Sequence, residues 1–145
     1  MKRRPFGRTN LTIAPIVLGG NVFGWTVDQK TGFDILDAFV GAGFGAIDTA
    51  DYYSRYVAGH SGGESETMIG NWLAINPGKR DKVIIMTKVG MDMGDNHKGL
   101  SCRWIVQAVE ASLRRLRTDV IDVYQSHWFA PPRRWCTGGI FWRPG

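Results

Sequence analysis

Four side chains that can hold or transfer a proton lie at or just beyond short apolar stretches of this sequence. Asp48, Lys88 and His127 each come at the end of such a stretch, and Tyr53 follows Asp48 by five positions. Short apolar runs rich in β-branched residues predict buried strands of a parallel sheet. The carboxyl ends of parallel strands share one edge, where α/β enzymes place their chemistry. We therefore predict that these four side chains face one site.

An acid, a phenol, an amine and an imidazole together suit the protonation of a carbonyl oxygen as hydride reaches the carbonyl carbon. A phenol titrates at about pH 10, and a neighbouring ammonium group favours the phenolate. A carboxylate beside the amine keeps that amine charged and in place, and a neutral imidazole can hydrogen-bond to the carbonyl. Taken singly, three of the four residues also have a structural explanation: a turn-forming aspartate, a solvated lysine and a packed histidine.

The elements that must position these residues alternate between strand and helix. Residues 2–14 predict a β-hairpin with its turn at residues 7–10. Strands are predicted at 16–18, 44–47, 83–87 and 120–125, and helices at about 30–40, 64–74 and 102–116. This order requires a parallel sheet with right-handed crossovers, which both a doubly wound sheet and a (β/α) barrel satisfy. The turn Gly19-Gly20-Asn21 lacks the Gly-x-Gly-x-x-Gly pattern, which disfavours a dinucleotide-binding doubly wound sheet.

Composition argues against several classes of function. The chain has 145 residues, of which 43% are hydrophobic and 21% charged, as in an ordinary globular protein. No apolar run reaches the roughly 20 residues that cross a membrane, so no membrane association is expected. The net charge is +5, and residues 129–145 supply three arginines and no acid. The basic excess is therefore mostly a property of this tail, and no nucleic-acid partner is predicted.

The cysteines and histidines show no metal-binding spacing. Cys102 and Cys136 form neither a metal nor a disulfide pattern, and we interpret them as free thiols in a reducing cytoplasm. His60, His97 and His127 are too irregularly placed for a metal site. A cytoplasmic protein without a bound metal is expected.

Six segments, in order along the chain, resemble the aldo-keto reductase family. They are Asp-Thr-Ala-Asp-Tyr-Tyr at 48–53, Gly-Glu-Ser-Glu at 63–66, Thr-Lys-Val-Gly at 87–90, Glu-Ala-Ser-Leu-Arg-Arg-Leu at 110–116, Asp-Val-Ile-Asp-Val-Tyr at 119–124, and Gln-Ser-His-Trp at 125–128. The resemblance covers about residues 5–128. It implies an α/β fold, a partial (β/α)8 TIM barrel of about four βα units preceded by an N-terminal β-hairpin. It also implies the use of NADP(H) without a Rossmann domain.

The resemblance assigns roles to the four proton-handling residues. It implies that Tyr53 is the proton donor, that Lys88 and Asp48 tune it, and that His127 orients the substrate carbonyl. The implied activity is the NADPH-dependent reduction of aldehydes or ketones to alcohols, with a small-molecule carbonyl compound as substrate.

The resemblance also suggests binding residues around the turn after the first parallel strand. Gly20, Asn21, Val22 and Asp48 are expected near the nicotinamide ribose of the cofactor. Trp25 is expected to form a wall of the substrate pocket, together with His127.

The resemblance stops after residue 128. Residues 129–145 hold three of the six prolines and two of the six tryptophans, with no acid and no helical period. We interpret residues 1–128 as the N-terminal half of an aldo-keto reductase barrel and residues 129–145 as a tail foreign to the family. An altered reading frame or an early stop would produce such a tail.

A partial barrel has physical consequences. A complete (β/α)8 barrel takes roughly 250 residues, so four strands would leave two open edges that can pair with another molecule. The phosphate site that usually follows the last two strands would be missing, which predicts weak or no NADPH binding by this chain. The alternative function is a catalytically inactive half-barrel that self-associates or acts as a binding module. A different (β/α) enzyme with coincidental motif matches is a third, less favoured interpretation.

Overall fold

A β-hairpin opens the computed structural model, which describes residues 1–95 and 97–128. Strands β1 (Arg4–Pro5) and β2 (Thr12–Ile13) are antiparallel. The backbone N–H of Phe6 donates to the carbonyl of Leu11 at 2.9 Å and closes the connection between them. The predicted hairpin is confirmed.

Four parallel strands form the main sheet, in the order β3-β4-β5-β6. They are β3 (Val17–Gly19), β4 (Ala46–Asp48), β5 (Ile84–Val89) and β6 (Val123–Ser126). Each strand pairs with the next one along the chain, without the reversal of order that marks a doubly wound sheet. Of the two architectures that fit the sequence, the strand order favours the barrel type.

Three helices connect these strands and begin at recognisable caps. They are α1 (Gln29–Gly41), α2 (Glu64–Ile75) and α3 (Cys102–Leu116), with a short 3-10 helix at Pro77–Lys82 before β5. The side chain of Asp28 accepts the N–H of Thr31 at 2.8 Å, and Ser101 caps α3 in the same way. Such caps satisfy backbone donors that have no partner inside the helix. The three predicted helices are confirmed.

The core lies between the helices and the sheet. Leu36 of α1, Ile47 of β4, Ile69 and Trp72 of α2, and Ile85 of β5 have no exposed surface. Burying a side chain of this size contributes about 1.5–3 kcal/mol. The alternating direction of side chains along β4 and β5 leaves their other face free for polar side chains at the strand ends.

Strand β6 begins three residues later than predicted. The apolar pattern placed its start at residue 120, whereas the ladder begins at Val123. Asp122 accepts the backbone N–H of Ile85 at 2.7 Å and pairs with Arg80 at 2.9 Å, and Arg80 also donates to the carbonyl of Val120. The Asp122 N–H still donates to the Ile85 carbonyl at 3.1 Å, and side chains take other hydrogen bonds that a longer strand would have made.

The prediction of a free thiol at Cys102 is wrong, because this cysteine is disulfide-bonded. Spacing along the sequence does not report the distance between cysteines in the fold. Cys136 and the predicted tail, residues 129–145, lie outside the described residues, so the domain boundary at 128 stays a prediction, as does a cytoplasmic location. In the described part of the chain, no helix combines the length and apolarity needed to cross a membrane.

Candidate active site

The ammonium group of Lys88 is the centre of a polar cluster at the carboxyl end of the sheet. Its Nζ lies 2.6 Å from Asp48 Oδ2 and 2.8 Å from Tyr53 Oη, and it donates to the carbonyl of Thr49 at 2.9 Å. Tyr53 Oη is also 3.3 Å from Asp48 Oδ2. The side chains of Lys88 and Asp48 are only 13% and 23% exposed, so water screens their ion pair weakly.

The sheet register explains why these side chains meet. Asp48, the last residue of β4, lies opposite Met86 of β5. Side chains alternate along a strand, so Lys88, two positions beyond Met86, points to the same face as Asp48. Tyr53 reaches this face through a tight turn anchored by Ser54, a buried residue with φ of +72° whose hydroxyl donates to the carbonyl of Phe23 at 3.0 Å.

His127 lies beside the same cluster, immediately after β6. Its backbone N–H donates to the carbonyl of Val89 at 2.8 Å, and its ring meets the ring of Tyr53 edge-on at 5.7 Å between centroids. Burial lowers the pKa of His127, the Lys88 ammonium lowers it further, and Asp48 partly opposes them. The imidazole is therefore neutral at neutral pH. Its Nδ1 is buried and has no partner among the described residues.

Gln125 belongs to this cluster, although the sequence pattern gave it no role. Its Nε2 donates to Asp48 Oδ1 at 3.2 Å, so both carboxylate oxygens of Asp48 are held. Gln125 lies opposite Lys88 in the register between β5 and β6. That register is the signal that would have identified it, and the sequence alone does not supply the register.

The family model described as the aldo/keto reductase family matches residues 15–136 of this chain. The chain belongs to the aldo/keto reductase family. The match begins before β3 and runs past residue 128, where the sequence-based resemblance ended. The predicted membership of the aldo-keto reductase family is confirmed.

Known proteins similar to this chain differ in the share of their own length that it covers. The chain is 54% identical over 93 residues to an uncharacterized 11.2 kDa protein of Pseudescherichia vulneris, covering 64% of this chain and 90% of that protein. It is 38% identical over 127 residues to the uncharacterized oxidoreductase YrpG of Bacillus subtilis, covering 83% of this chain and 38% of YrpG. The chain thus spans about two fifths of the length of that relative.

Solved structures of the family support the predicted fold. The holo form of the aldo-keto reductase AKR11C1 from Bacillus halodurans superposes with a TM-score of 0.71 at 33% identity, over 87% of this chain and 40% of that one. The described part of this aldo/keto reductase is accordingly a partial TIM barrel, as predicted. The family membership also supports a general oxidoreductase role.

The turn after β3 packs against the strand end that carries Asp48. Most of the polar backbone groups of this turn make hydrogen bonds within the protein. Gly20 donates its N–H to the carbonyl of Asp48 at 2.8 Å and accepts the hydroxyl of Ser65 at 2.7 Å. The carbonyl of Val22 accepts two turn hydrogen bonds, and its side chain packs against the core. Among the three predicted cofactor-binding residues in this turn, Gly20 is buried, Val22 is partly buried and Asn21 is exposed, and their role in cofactor binding stays a prediction.

Trp25 stands apart from the polar cluster. It is 51% exposed and meets Tyr56 edge-on at 5.3 Å. It also lines a cavity of about 650 Å³ between the β3–α1 loop and α2, which contains none of the four predicted catalytic residues. Within the described part of the chain, Trp25 therefore lies outside the cluster, with the rings of Tyr56 and Tyr52 between it and His127.

A second polar cluster is buried beneath the loop that carries Tyr53. Glu66 has no exposed surface, accepts the Thr87 hydroxyl at 2.5 Å and pairs with Arg115 at 2.7 Å. Asp51 is 2% exposed, and neither of its carboxylate oxygens has a partner among the described residues. Burial, reinforced by the charge of Glu66, raises the pKa of Asp51 to about 7.

The described residues fit the nicotinamide-ribose end of a cofactor. The partly exposed carboxylate of Asp48 and the exposed amide of Asn21 lie on adjacent strand ends at one rim. Addition of a Cβ at Gly20 would bring it to 2.9 Å from Ser65 Oγ and 3.2 Å from the Asp48 carbonyl. A side chain there would push the turn away from Asp48, so glycine keeps this rim in place. Within the described residues, no group of three or more His, Cys, Asp or Glu could hold a metal ion.

Proposed function

We propose that this chain carries the proton-transfer centre of an NADP(H)-dependent carbonyl reductase, which converts aldehydes or ketones to alcohols. The observation that supports the proposal most directly is the Lys88 ammonium held 2.8 Å from Tyr53 Oη and 2.6 Å from Asp48 Oδ2. A lysine this close to a phenol and a carboxylate matches the requirement for a phenolic acid whose anion is stabilised.

Tyr53 acts as the general acid. Its hydroxyl gives its proton to the carbonyl oxygen, and the phenolate that remains lies against the Lys88 ammonium. Because the Lys88–Asp48 pair is weakly screened by water, the ammonium stabilises this phenolate more strongly than an exposed lysine would. Asp48 keeps Lys88 charged and correctly placed, and Gln125 fixes the second oxygen of that carboxylate.

His127 binds the substrate as a neutral imidazole. Its lowered pKa keeps it uncharged at neutral pH, so its ring can donate one hydrogen bond to the carbonyl oxygen without competing with Lys88 for negative charge. Its edge-on position against Tyr53 places both groups around one point at the rim.

The cofactor would be held at its nicotinamide-ribose end by Asp48 and Asn21. When bound, NADPH supplies the hydride that reaches the carbonyl carbon. These residues would contact only the nicotinamide-ribose end of the cofactor. We therefore expect the chain to bind NADPH weakly, with a dissociation constant above the micromolar range. Calorimetric titration of the purified chain with NADPH measures this directly.

The decisive experiment measures hydride transfer from NADPH to a simple aldehyde. The rate is monitored as the loss of NADPH absorbance. Tyr53→Phe is expected to lower kcat/KM at least about 100-fold. Tyr124→Phe removes a phenol of the same kind from β6, and its hydroxyl has no partner among the described residues. This matched control is expected to retain the activity. Equal rates for the wild type and Tyr53→Phe would reject the proposal.

A second candidate function, a self-associating half-barrel or binding module, is favoured by the exposed edge of the main sheet. Ile16, just before β3, is 51% exposed, and Val17, the first residue of β3, is 41% exposed. Within the described residues, β3 pairs on one side. A folded, oligomeric chain that transfers no hydride would favour this function over the first.

A further inference from the structure

Asp51 lies in the turn between β4 and Tyr53, beside the buried ion pair of Glu66 and Arg115. Its backbone N–H donates to the carbonyl of Lys88 at 3.3 Å, so the turn is attached to the residue whose ammonium group holds Tyr53. Its carboxyl group is 2% exposed, and neither oxygen has a partner among the described residues. A buried carboxylate without donors is strongly disfavoured relative to the neutral acid.

The elements around Asp51 each bring a titratable or charged group toward it. Glu66 of α2, Arg115 of α3 and Lys88 of β5 act on its charge. Burial and the charges of Asp51 and Glu66 raise the pKa of Tyr124 on β6, so this phenol stays neutral. Arg115 pairs with Glu66 at 2.7 Å, and Lys88 forms its ion pair within the polar cluster. Both cations are therefore committed to other carboxylates, and Asp51 faces Glu66 without a counter-charge of its own.

The turn that contains Asp51 is fixed at its two ends and held more loosely between them. At one end, Thr49 donates its N–H to a β5 carbonyl at 2.8 Å, and at the other, Ser54 donates its hydroxyl to a carbonyl of the β3–α1 loop at 3.0 Å. Between these ends, the N–H groups of Asp51 and Tyr53 make hydrogen bonds of 3.3 Å, just beyond the usual N–H···O range. A change in the charge of Asp51 would therefore be taken up where Tyr53 lies.

We infer that Asp51 is the positioning residue of residues 50–53, which we call the Tyr53 turn, and that its proton keeps this turn closed. With the proton, Asp51 is tolerated beside Glu66 and the turn stays packed on β5. Without it, the carboxylate must reach water, so the turn opens and withdraws Tyr53 from Lys88. The role of Tyr53 in this inference rests on the proposed function, whereas the movement of the turn does not depend on turnover.

The direction of the pH dependence follows from the pKa of Asp51 in the closed turn. Burial and the charge of Glu66 raise this pKa to about 7 from an ordinary 3.8. The closed turn is therefore fully favoured below the ordinary pKa, and that advantage is lost as the pH rises through the pKa of the closed form. Between the two values, opening releases one proton and becomes about tenfold more frequent per pH unit.

Hydrogen exchange of the Tyr53 N–H, which donates to the carbonyl of Ala50, measures opening of the Tyr53 turn. Protection is the exchange rate of an unstructured peptide divided by the measured rate at the same pH, so the direct effect of pH on exchange cancels. From about pH 5 to about pH 6.5, protection at Tyr53 is expected to fall about 30-fold in the wild type. Tyr53 should also be less protected than Ile84, whose N–H donates to Gly45 at 2.8 Å and reports unfolding of the sheet.

Variants test whether Asp51 is the group that titrates. Asp51→Asn keeps the size of the side chain and removes its titration, so protection at Tyr53 should change by less than about twofold over the same pH range. Asp34→Asn is the matched control, because Asp34 is 68% exposed on α1, and it should keep the wild-type fall. Glu66→Gln replaces Asp51→Asn if circular dichroism shows that the latter is unfolded. It removes the neighbouring charge, so the fall in protection should end at a lower pH.

The outcomes separate the Tyr53 turn from the proposed reductase. Constant protection at Tyr53 in the wild type, equal protection at Tyr53 and Ile84, or an unchanged fall in Asp51→Asn would overturn the inference. A chain that shows the fall but transfers no hydride would reject the reductase and retain the turn. In an active chain, kcat/KM for aldehyde reduction should fall more with rising pH in the wild type than in Asp51→Asn, and parallel profiles would overturn the positioning role.

Discussion

At the scale of single residues, Lys88 is shared between the carboxylate of Asp48 and the hydroxyl of Tyr53, so its removal has two separable effects. Lys88→Met is expected to lower kcat/KM for aldehyde reduction by about 10²–10⁴-fold, the range for a general-acid system. It also leaves the mostly shielded carboxylate of Asp48 without a counter-charge, which is expected to lower the free energy of unfolding by about 1–3 kcal/mol.

A double variant distinguishes these effects. Asp48→Asn added to Lys88→Met removes the uncompensated charge, so part of the lost stability returns while the activity does not. Lys30→Met breaks an ion pair with Asp34 whose side chains are 87% and 68% exposed, and it is expected to leave the stability unchanged because water screens such a pair. Urea denaturation measures all three variants. Full activity in Lys88→Met would contradict the assigned role.

Asp51 gives a prediction about pH dependence. Its pKa is about 7 in the folded chain against an ordinary 3.8, so the folded chain binds more protons between these values. The contribution of Asp51 to the free energy of unfolding is fully present below its pKa in the unfolded chain. This contribution is lost as the pH rises through its pKa in the folded chain. Asp51→Asn does not titrate, so its unfolding free energy relative to wild type should rise between about pH 4 and about pH 8, by on the order of 4 kcal/mol.

Denaturation at the two pH values checks this prediction. Any constant cost of a buried amide cancels, because the comparison is between pH values for the same pair of proteins. If the free energies of unfolding of the variant and the wild type differed by the same amount at both pH values, this result would contradict a protonated Asp51.

The residues that handle protons were accessible from the sequence because three of them recur after apolar runs, and the carboxyl ends of parallel strands share one edge. Asp48, Lys88 and His127 were placed by that rule, and the structure brings them together with Tyr53. Gln125 was not, because an amide at a strand end has many structural uses and its contact with Asp48 depends on the strand register. Register follows from tertiary packing, which periodicity does not encode.

At the scale of elements, the packing of α2 on α3 depends on one glycine. A Cβ at Gly70 of α2 would lie 2.0 Å from the backbone oxygen of Arg115, at the end of α3. Backbone cannot rotate away as a side chain can, so the two helices would have to separate. Gly70→Ala is expected to lower the free energy of unfolding by about 3 kcal/mol or more.

The matched control is another helical glycine. At Gly41, the last residue of α1, an added Cβ would meet no atom within 4 Å. Gly41→Ala should leave stability unchanged or raise it by up to about 1 kcal/mol, because alanine is the better helix former. Chemical denaturation of both variants checks the pair, and a Gly70→Ala protein as stable as Gly41→Ala would refute the packing argument.

Helix positions were predicted more closely than strand positions, and the reason is visible in particular contacts. The caps at Asp28 and Ser101 are local signals, and the helices begin where these residues indicate. The start of β6 is decided instead by the hydrogen bond from the Ile85 N–H to Asp122 and by the ion pair between Asp122 and Arg80. These contacts join residues about 40 positions apart in sequence. No local pattern carries such information.

At the scale of the whole molecule, the main sheet has β3 and β6 as its outer strands among the described residues. Edge strands present unpaired backbone groups to other chains. We propose that the chain associates through the β3 edge, and we expect its mass, measured by light scattering after size exclusion, to rise with concentration. Val17→Lys, at a 41% exposed position of β3, should reduce this association.

Val120→Lys is the control for added charge. Val120 is 46% exposed but lies outside the strands. The Val120→Lys substitution should leave the dependence of the measured mass on concentration as it is in the wild type. Equal effects of the two substitutions would indicate that net charge, rather than the β3 edge, governs association.

The order of the strands also has a consequence for synthesis. Because each strand pairs with the one made just before it, the sheet can grow strand by strand as the nascent chain emerges, N-terminus first. The carboxylate of Asp48 and the phenol of Tyr53 are synthesised before the amine of Lys88, which arrives with β5. The imidazole of His127 comes last, after β6, so the polar cluster cannot be complete until the fourth strand of the sheet has left the ribosome.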